Sequence, residues 1–200
     1  MKGVDVSVWN DDVDWKLLKE NGVEFAIVRC SYGRNYADEN FLQNVNGAHA
    51  AGMLVGAYHY STALTPEQAT QEATIVKDII NNAGVLLEMP VFFDMEDADG
   101  HKAKNGFDFS HENITNICSA WLEAIKPLHS GIYASYSWLD NYIDWKCLGC
   151  PVWNAQWSSH DDLQGYLWQF TDSLEIGGKN FDGDIMYDAK HLAGLNPWEA

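Results

Sequence analysis

Basic residues are scarce in this chain. Only 12 Lys and Arg stand against 29 Asp and Glu, a formal net charge of −17 at pH 7 over 200 residues. Nucleic-acid binding needs clustered cations to displace phosphate counterions. Here they are scattered, so nucleic acid is excluded as an expected partner. Long hydrophobic runs are also missing. No stretch approaches the roughly 18–20 unbroken apolar residues of a membrane span, so no membrane partner is expected. The opening MKGVDVSVWN lacks the apolar segment of a signal peptide. Cysteine is sparse. Cys30 and Cys118 lie in apolar strand and helix patterns and read as buried thiols. Cys147 and Cys150 form a lone CxxC, CLGC, with no second pair of ligands nearby, which leaves no expected metal site. A GxSxG elbow, an HExxH helix and a Walker loop are all missing, which argues against serine-hydrolase, zincin and phosphate-cradling chemistry. Repeats, low-complexity segments and internal linkers are absent too.

What is present is a chain 46% apolar and 13% aromatic, enough to bury one large core. Strand and helix patterns alternate. Strands are predicted at 4–8, 24–30, 53–60, 86–94, 130–135, 151–157 and 165–170. Helices are predicted at 15–21, 38–51, 65–84, 111–126 and 137–142. The helix after residue 65 is the best marked: Thr65 is a natural N-cap, Pro66 suits the first position, Gln68 completes a capping box and Gly84 terminates it. After residue 150 the helices disappear between strands. Alternation of this kind implies parallel strands with helical crossovers. The expected fold class is α/β, a distorted TIM-like (β/α) barrel of about eight strands with five to six helices. A doubly wound open sheet is the alternative, weakened by the absence of a Gly-rich fingerprint after the first strand.

The chemistry concentrates in VFFDMEDADG, residues 91–100. Asp94 and Glu96 are two apart at the end of an apolar strand, so their carboxyls share a face. Like charges held together raise at least one pKa. In parallel barrels the active site lies at the C-terminal strand ends, and other strand ends here are also polar or aromatic. Asp5 lies on the first strand, and Tyr58, His59 and Tyr60 on the third. Tyr133, Trp153, Gln156, Trp168 and Gln169 follow on later strands, and Asp182 and Asp184 come last. Flat aromatic faces stack on sugar rings, and carboxylates bond hydroxyls. A carboxylic acid of raised pKa beside an ionised one can cleave a glycosidic bond. The same acids could hold a divalent cation or be solvated at a strand end. Arg29 ends an apolar strand and needs a carboxylate partner if buried. His59, on an apolar strand, reads either as a hydrogen-bonded structural residue or as substrate-lining. Asp97 and Asp99 read as a solvated continuation of the loop.

Together the stretches GVDVSVWN (3–10), FAIVRCSYG (25–33), GAYHYS (56–61), FFDMED (92–97), VWNAQW (152–157) and LWQFT (167–171) resemble glycoside hydrolase family 25, the N-acetylmuramidase lysozymes. The resemblance runs over nearly the whole chain. It implies a distorted eight-stranded barrel and cofactor-free hydrolysis of the β-1,4 bond between N-acetylmuramic acid and N-acetylglucosamine in peptidoglycan. It implies Glu96 as general acid, Asp94 as its partner and Asp5 in the same cleft. The family's final acid aligns with Asp182 in NFDGDIMY (180–187). Gly183 departs from the family pattern there and leaves Asp184 as the alternative. The expected substrate-binding residues are Tyr58, His59, Tyr60, Tyr133, Trp153, Gln156, Trp168 and Gln169, with no metal. Residues 1–192 are expected to form one catalytic barrel and 193–200 a tail. The expected protein is a monomer acting on the glycan strands of the bacterial wall, secreted or released through a phage pore. A non-catalytic glycan-binding module and a chitin-type glycosidase are the rival readings.

Overall fold

The computed structural model describes residues 1–187, so the expected domain limit at 192 and the tail at 193–200 lie outside the described residues. The chain begins with β1 (Lys2–Val6), α1 (Trp15–Glu20), β2 (Phe25–Tyr32) and a two-residue β3 (Tyr36–Ala37). Then come α2 (Phe41–Ala50), β4 (Leu54–Tyr60), α3 (Pro66–Ala83), β5 (Val91–Asp94), the one-turn α4 (His101–Lys104) and α5 (His111–Ala124). The last elements are β6 (Ser130–Ser135), α6 (Tyr136–Asn141), the one-turn α7 (Trp145–Leu148), β7 (Val152–Ala155), β8 (Leu167–Ile176) and β9 (Lys179–Met186). Helices α4 and α7 are too short for hydrophobic periodicity to register, which is why the sequence reading missed them.

Eight strands close into a barrel in the order β1-β2-β4-β5-β6-β7-β8-β9, with β9 returning to β1. β3 only extends the end of β2, outside that circuit. Seven barrel strands run parallel; β9 alone is antiparallel to both its neighbours. The reversal is made by a two-residue turn, Gly177-Gly178, between paired Ile176 and Lys179. Both glycines have positive φ, 63° and 79°, the requirement of the hairpin turn whose twist matches its strands. The parallel expectation thus fails for the final strand, and the reason lies in that glycine pair.

Other boundaries follow local chemistry. β1 stops at Val6 because Ser7 caps a single 3-10 turn over Val8–Asn10. The strand expected at 86–94 is confined to Val91–Asp94, since Pro90 has no N–H to give a ladder. α3 carries the expected cap: the Thr65 hydroxyl accepts from the Gln68 N–H, and Gly84 closes the helix in the left-handed region. No described helix is long and apolar enough to cross a membrane.

Strand alternation sorts the core into two layers. Phe25, Ile27, Phe92, Trp153, Leu167 and Met186 fill the barrel interior. Val4, Val28, Val55, Ala57, Val91 and Phe93 face outward, under Val45, Val76, Ile117 and Trp121 of the surrounding helices. Inside, space is tight. A Cβ on Gly131 would come within 2.3 Å of the Pro151 carbonyl and 2.9 Å of the Phe92 ring, so only glycine fits β6 there. Cys30 and Cys118 are buried free thiols, as expected, and Cys147 and Cys150 are also free.

Candidate active site

The interior face of the barrel is apolar at its base and acidic at its mouth. On β5, Phe92 packs inside against Trp153, their ring centroids 5.3 Å apart. Asp94, two residues on, points the same way at the C-terminal strand end. Glu96 follows just beyond the strand. Asp5 of β1 is paired in register with Asp182 of β9, and Gly3 with Asp184. Because β9 runs downward, Asp182 stands level with Asp5 at the mouth while Asp184 sits one layer deeper. Burial follows that order: Asp184 is fully buried, Asp94 and Asp5 are nearly so, and Asp182 and Glu96 are partly exposed. Five carboxyls therefore meet at one end of the barrel.

Their protonation is correspondingly pushed up. Burial raises Asp94 well above the ordinary carboxylate range, and neighbouring Glu96 adds to it. Burial also raises Glu96, whose carboxyl is in hydrogen-bond contact with Asp94. Two acids so placed share a proton rather than ionising together. Asp5 is raised by burial and then by Asp184 and Asp182. Burial carries Asp182 to about 6 and Asp184 to about 8. The site thus offers a proton at an accessible carboxyl together with nearby acids that can ionise.

Hydrogen bonds fix this cluster from several strands. Gln169 Nε2 donates to Asp5 Oδ2 at 2.8 Å. Gln169 Oε1 in turn accepts from the Tyr133 hydroxyl and from the Trp157 indole, each at 3.1 Å. Trp153 is almost fully buried, and its indole donates to Asp184 Oδ1 at 2.8 Å. It forms the floor beneath the acids rather than the wall of an open cleft. Tyr58 packs edge-on against the same indole, centroids 6.0 Å apart.

Three of the expected substrate-binding residues lie elsewhere. His59 faces outward with Val55 and Ala57, completely buried. Its Nδ1 is 2.8 Å from the Ser31 hydroxyl and its Nε2 is 3.2 Å from Glu72 on α3. Alternation also turns Trp168 to the outer face, where its indole donates to the Gln156 carbonyl at 2.8 Å. Gln156 bonds Asp162 through both ends of its amide, in the loop beyond β7. A run of polar aromatics on a strand does not by itself reveal which alternate residues face inward.

Beside the acids opens a groove of about 570 Å³ lined by Trp9, Arg29, Tyr32, Tyr36, Tyr60 and Asp99. Tyr32 and Tyr60 stack with centroids 5.0 Å apart, and both hydroxyls donate to Asp99, at 2.5 and 3.3 Å. Asp99 is exposed, as expected of a solvated loop residue, and is also a partner of the groove's aromatic wall. Asp97 likewise is engaged, accepting from the backbone N–H groups of Lys102 and Ala103. Arg29 finds the carboxylate it needs in Asp38, with Nε–Oδ2 2.8 Å. Trp9 is 82% exposed and Trp157 61% exposed, two large flat faces left at the rim. Sequence reasoning missed Trp9, Tyr32 and Trp157 as site residues. Trp9 follows the first expected strand and Trp157 ends the one at 151–157, both assigned to the mouth, which was the available signal; Tyr32 ends β2, a strand that carried no such assignment. No cluster of three or more His, Cys, Asp or Glu suited to a metal occurs among the described residues.

Comparison with known proteins bears on the same arrangement. Residues 4–179 match the model of Glycosyl hydrolases family 25. The chain is 26% identical over 197 residues to Lysozyme M1 of Streptomyces globisporus, covering 92% of this chain and 66% of that protein. It is 25% identical over 188 residues to the Autolytic lysozyme of Clostridium acetobutylicum, covering 92% of this chain and 55% of that protein. The chain thus spans less than two thirds of the length of each. The crystal structure of the CTP1L endolysin superposes with a TM-score of 0.82 at 26% identity, over 96% of this chain and 69% of that one. With a family match over most of its length and an acid-lined barrel mouth, this chain belongs to glycosyl hydrolase family 25.

Proposed function

We propose that the barrel mouth hydrolyses the β-1,4 bond between N-acetylmuramic acid and N-acetylglucosamine in peptidoglycan. The observation that carries this reading is the stacked pair at the end of β5: a partly exposed Glu96 above a buried Asp94, both with raised pKa. Glu96 is the general acid. Its proton passes to the leaving glycosidic oxygen as the bond to the anomeric carbon breaks, and water completes the hydrolysis at that carbon. Asp94 takes up part of the charge left on Glu96 through their shared contact. Asp182, whose pKa of about 6 leaves it ionised at neutral pH, stabilises positive charge developing on the sugar ring, with Asp5 beside it at the same height. Tyr58, Tyr60, Tyr133 and Gln169 supply hydroxyl and amide contacts. Trp9, Tyr32 and Trp157 give aromatic faces for the flanking sugars. The names of the lysozyme relatives and of the endolysin support the substrate class. In this reading the protein is a monomer acting on wall glycan strands, reaching them by secretion or through a phage pore.

A pure glycan-binding module has no use for five clustered carboxyls that resist ionisation. Glu96→Gln tests the assignment. It is expected to lower wall lysis by about 10²-fold or more with thermal unfolding unchanged. Full activity in that variant would remove Glu96 from the role.

A further inference from the structure

Lys102 is almost completely buried, unusual for lysine in any fold. It belongs to α4, a single turn that contributes nothing to the barrel. Its Nζ donates to the Ser61 carbonyl at 2.5 Å and to the Glu96 carbonyl at 2.6 Å. These two acceptors lie on different segments: Ser61 directly follows β4 and Glu96 follows β5. The same ammonium stands 5.8 Å from the centroid of the Tyr60 ring in the neighbouring groove. The loop between Glu96 and Lys102 is tied a second time, through Asp97, which accepts from the Lys102 N–H at 2.6 Å and the Ala103 N–H at 3.0 Å.

We propose that Lys102 is a positioning residue for the acid Glu96: its ammonium bolts the Glu96 backbone to the end of β4 and holds a cation beneath the Asp94–Glu96 pair. The inference rests on Glu96 being the acid. Backbone bonding to the neighbouring strand ends runs as far as the Met95 N–H, which donates to the Tyr133 carbonyl at 2.9 Å; Glu96 is the next residue, and a proton donor must be held to a fraction of an ångström. Two charge-assisted bonds to carbonyls on adjacent strand ends meet that need.

The charge matters separately from the clamp. Groups that face Lys102 are Asp94 and Glu96 from the end of β5, Asp97 and Asp99 from the following loop, Glu72 from α3, Tyr60 from β4 and the Cys118 thiol from α5. Burial lowers the Lys102 pKa while the carboxylates oppose that shift. In return the cation pulls Asp94 and Glu96 down against their burial, with Arg29 adding to it at Asp94.

Lys102→Met keeps the length of the side chain and removes both bonds and the charge. It is expected to lower kcat on peptidoglycan about tenfold or more with little change in KM. Its kcat/KM profile should move upward by about 0.5–1 pH unit, because loss of a nearby cation raises carboxyl pKa values. Lys102→Arg keeps the charge, and should keep the profile while losing thermal stability from a poorer fit. A Met variant with the parent's kcat and pH profile, altered only in stability, overturns the proposal. If that variant does not fold, the unmodified enzyme decides. The Lys102 Cε and Nζ NMR signals should follow the titration of the acid pair across about pH 3–8, and signals flat over that range overturn it. Glu96→Gln run in the same assay separates the two readings. An active Glu96→Gln defeats the acid assignment, whereas an inactive one beside an unaltered Lys102→Met defeats only the role of Lys102.

Discussion

Asp184 shows how the site loads a single residue. It lies beneath Asp5 and Asp182, fully buried, with one oxygen bonded to Trp153. Burial sets its pKa at about 8, far above the roughly 3.9 of an unfolded aspartate. The unfolded chain therefore releases this proton first. The stability Asp184 confers is complete below about pH 4 and is lost as pH rises through about 8. Asp184→Asn, which retains an oxygen for the Trp153 indole, should be more stable than the parent by about 1–3 kcal/mol near pH 9. Near pH 4 the two should unfold at similar temperatures. Thermal melts at both pH values check this, and a gap independent of pH would show that Asp184 is not protonated in the native state.

At the scale of elements, α3 is fastened to the barrel by a buried hydrogen-bond network. Glu72 is fully buried and accepts from the Ser61 hydroxyl at 2.7 Å and from the Thr62 N–H and hydroxyl at 3.0 and 3.1 Å, with His59 3.2 Å away. Burial alone would raise its pKa, but His59, Ser61 and Thr62 outweigh that and lower it. A lowered carboxyl pKa contributes stability above the unfolded value, about 4.3, that is lost as pH falls below it. Glu72→Ala should cost about 3–5 kcal/mol in urea unfolding at neutral pH, and the difference should narrow towards pH 3. Legibility differed between elements for physical reasons. α3 and α5 were readable because caps and a helical apolar period agree with their tertiary setting. β9 was readable only through its acids. The Gly-Gly pair marking its hairpin is a two-residue signal, and seeing it was needed to know that the last strand turns back. The acids of the mouth were legible because Asp94 and Glu96 share a face whatever the tertiary fold. For His59 the hydrogen-bonded structural alternative fits its buried contacts with Ser31 and Glu72, and neither it nor Trp168 could be oriented from sequence because an apolar strand with both faces covered shows no alternation. Asp97, Asp99 and Lys102 depend on how a loop folds back onto the ends of β4 and β5, which no local pattern encodes.

At the scale of the whole molecule, the formal net charge is −17. Walls bearing anionic polymers will be repelled at long range. Added salt screens that repulsion over a Debye length of about 10 Å at 0.1 M. Lysis of such walls should accordingly speed up as ionic strength rises from a few millimolar towards about 0.1 M, whereas cleavage of a small neutral glycan fragment should change little. Turbidity and fragment assays in parallel distinguish this from a general salt effect on the enzyme. The proposed cleavage of one bond in peptidoglycan rests on the acid-lined mouth, the aromatic rim and the family to which the chain belongs. Mass spectrometry of purified peptidoglycan digested by this protein tests that proposal most directly. Muramic acid at every new reducing end is the predicted result; glucosamine there, or no new reducing ends from intact folded protein, would contradict it.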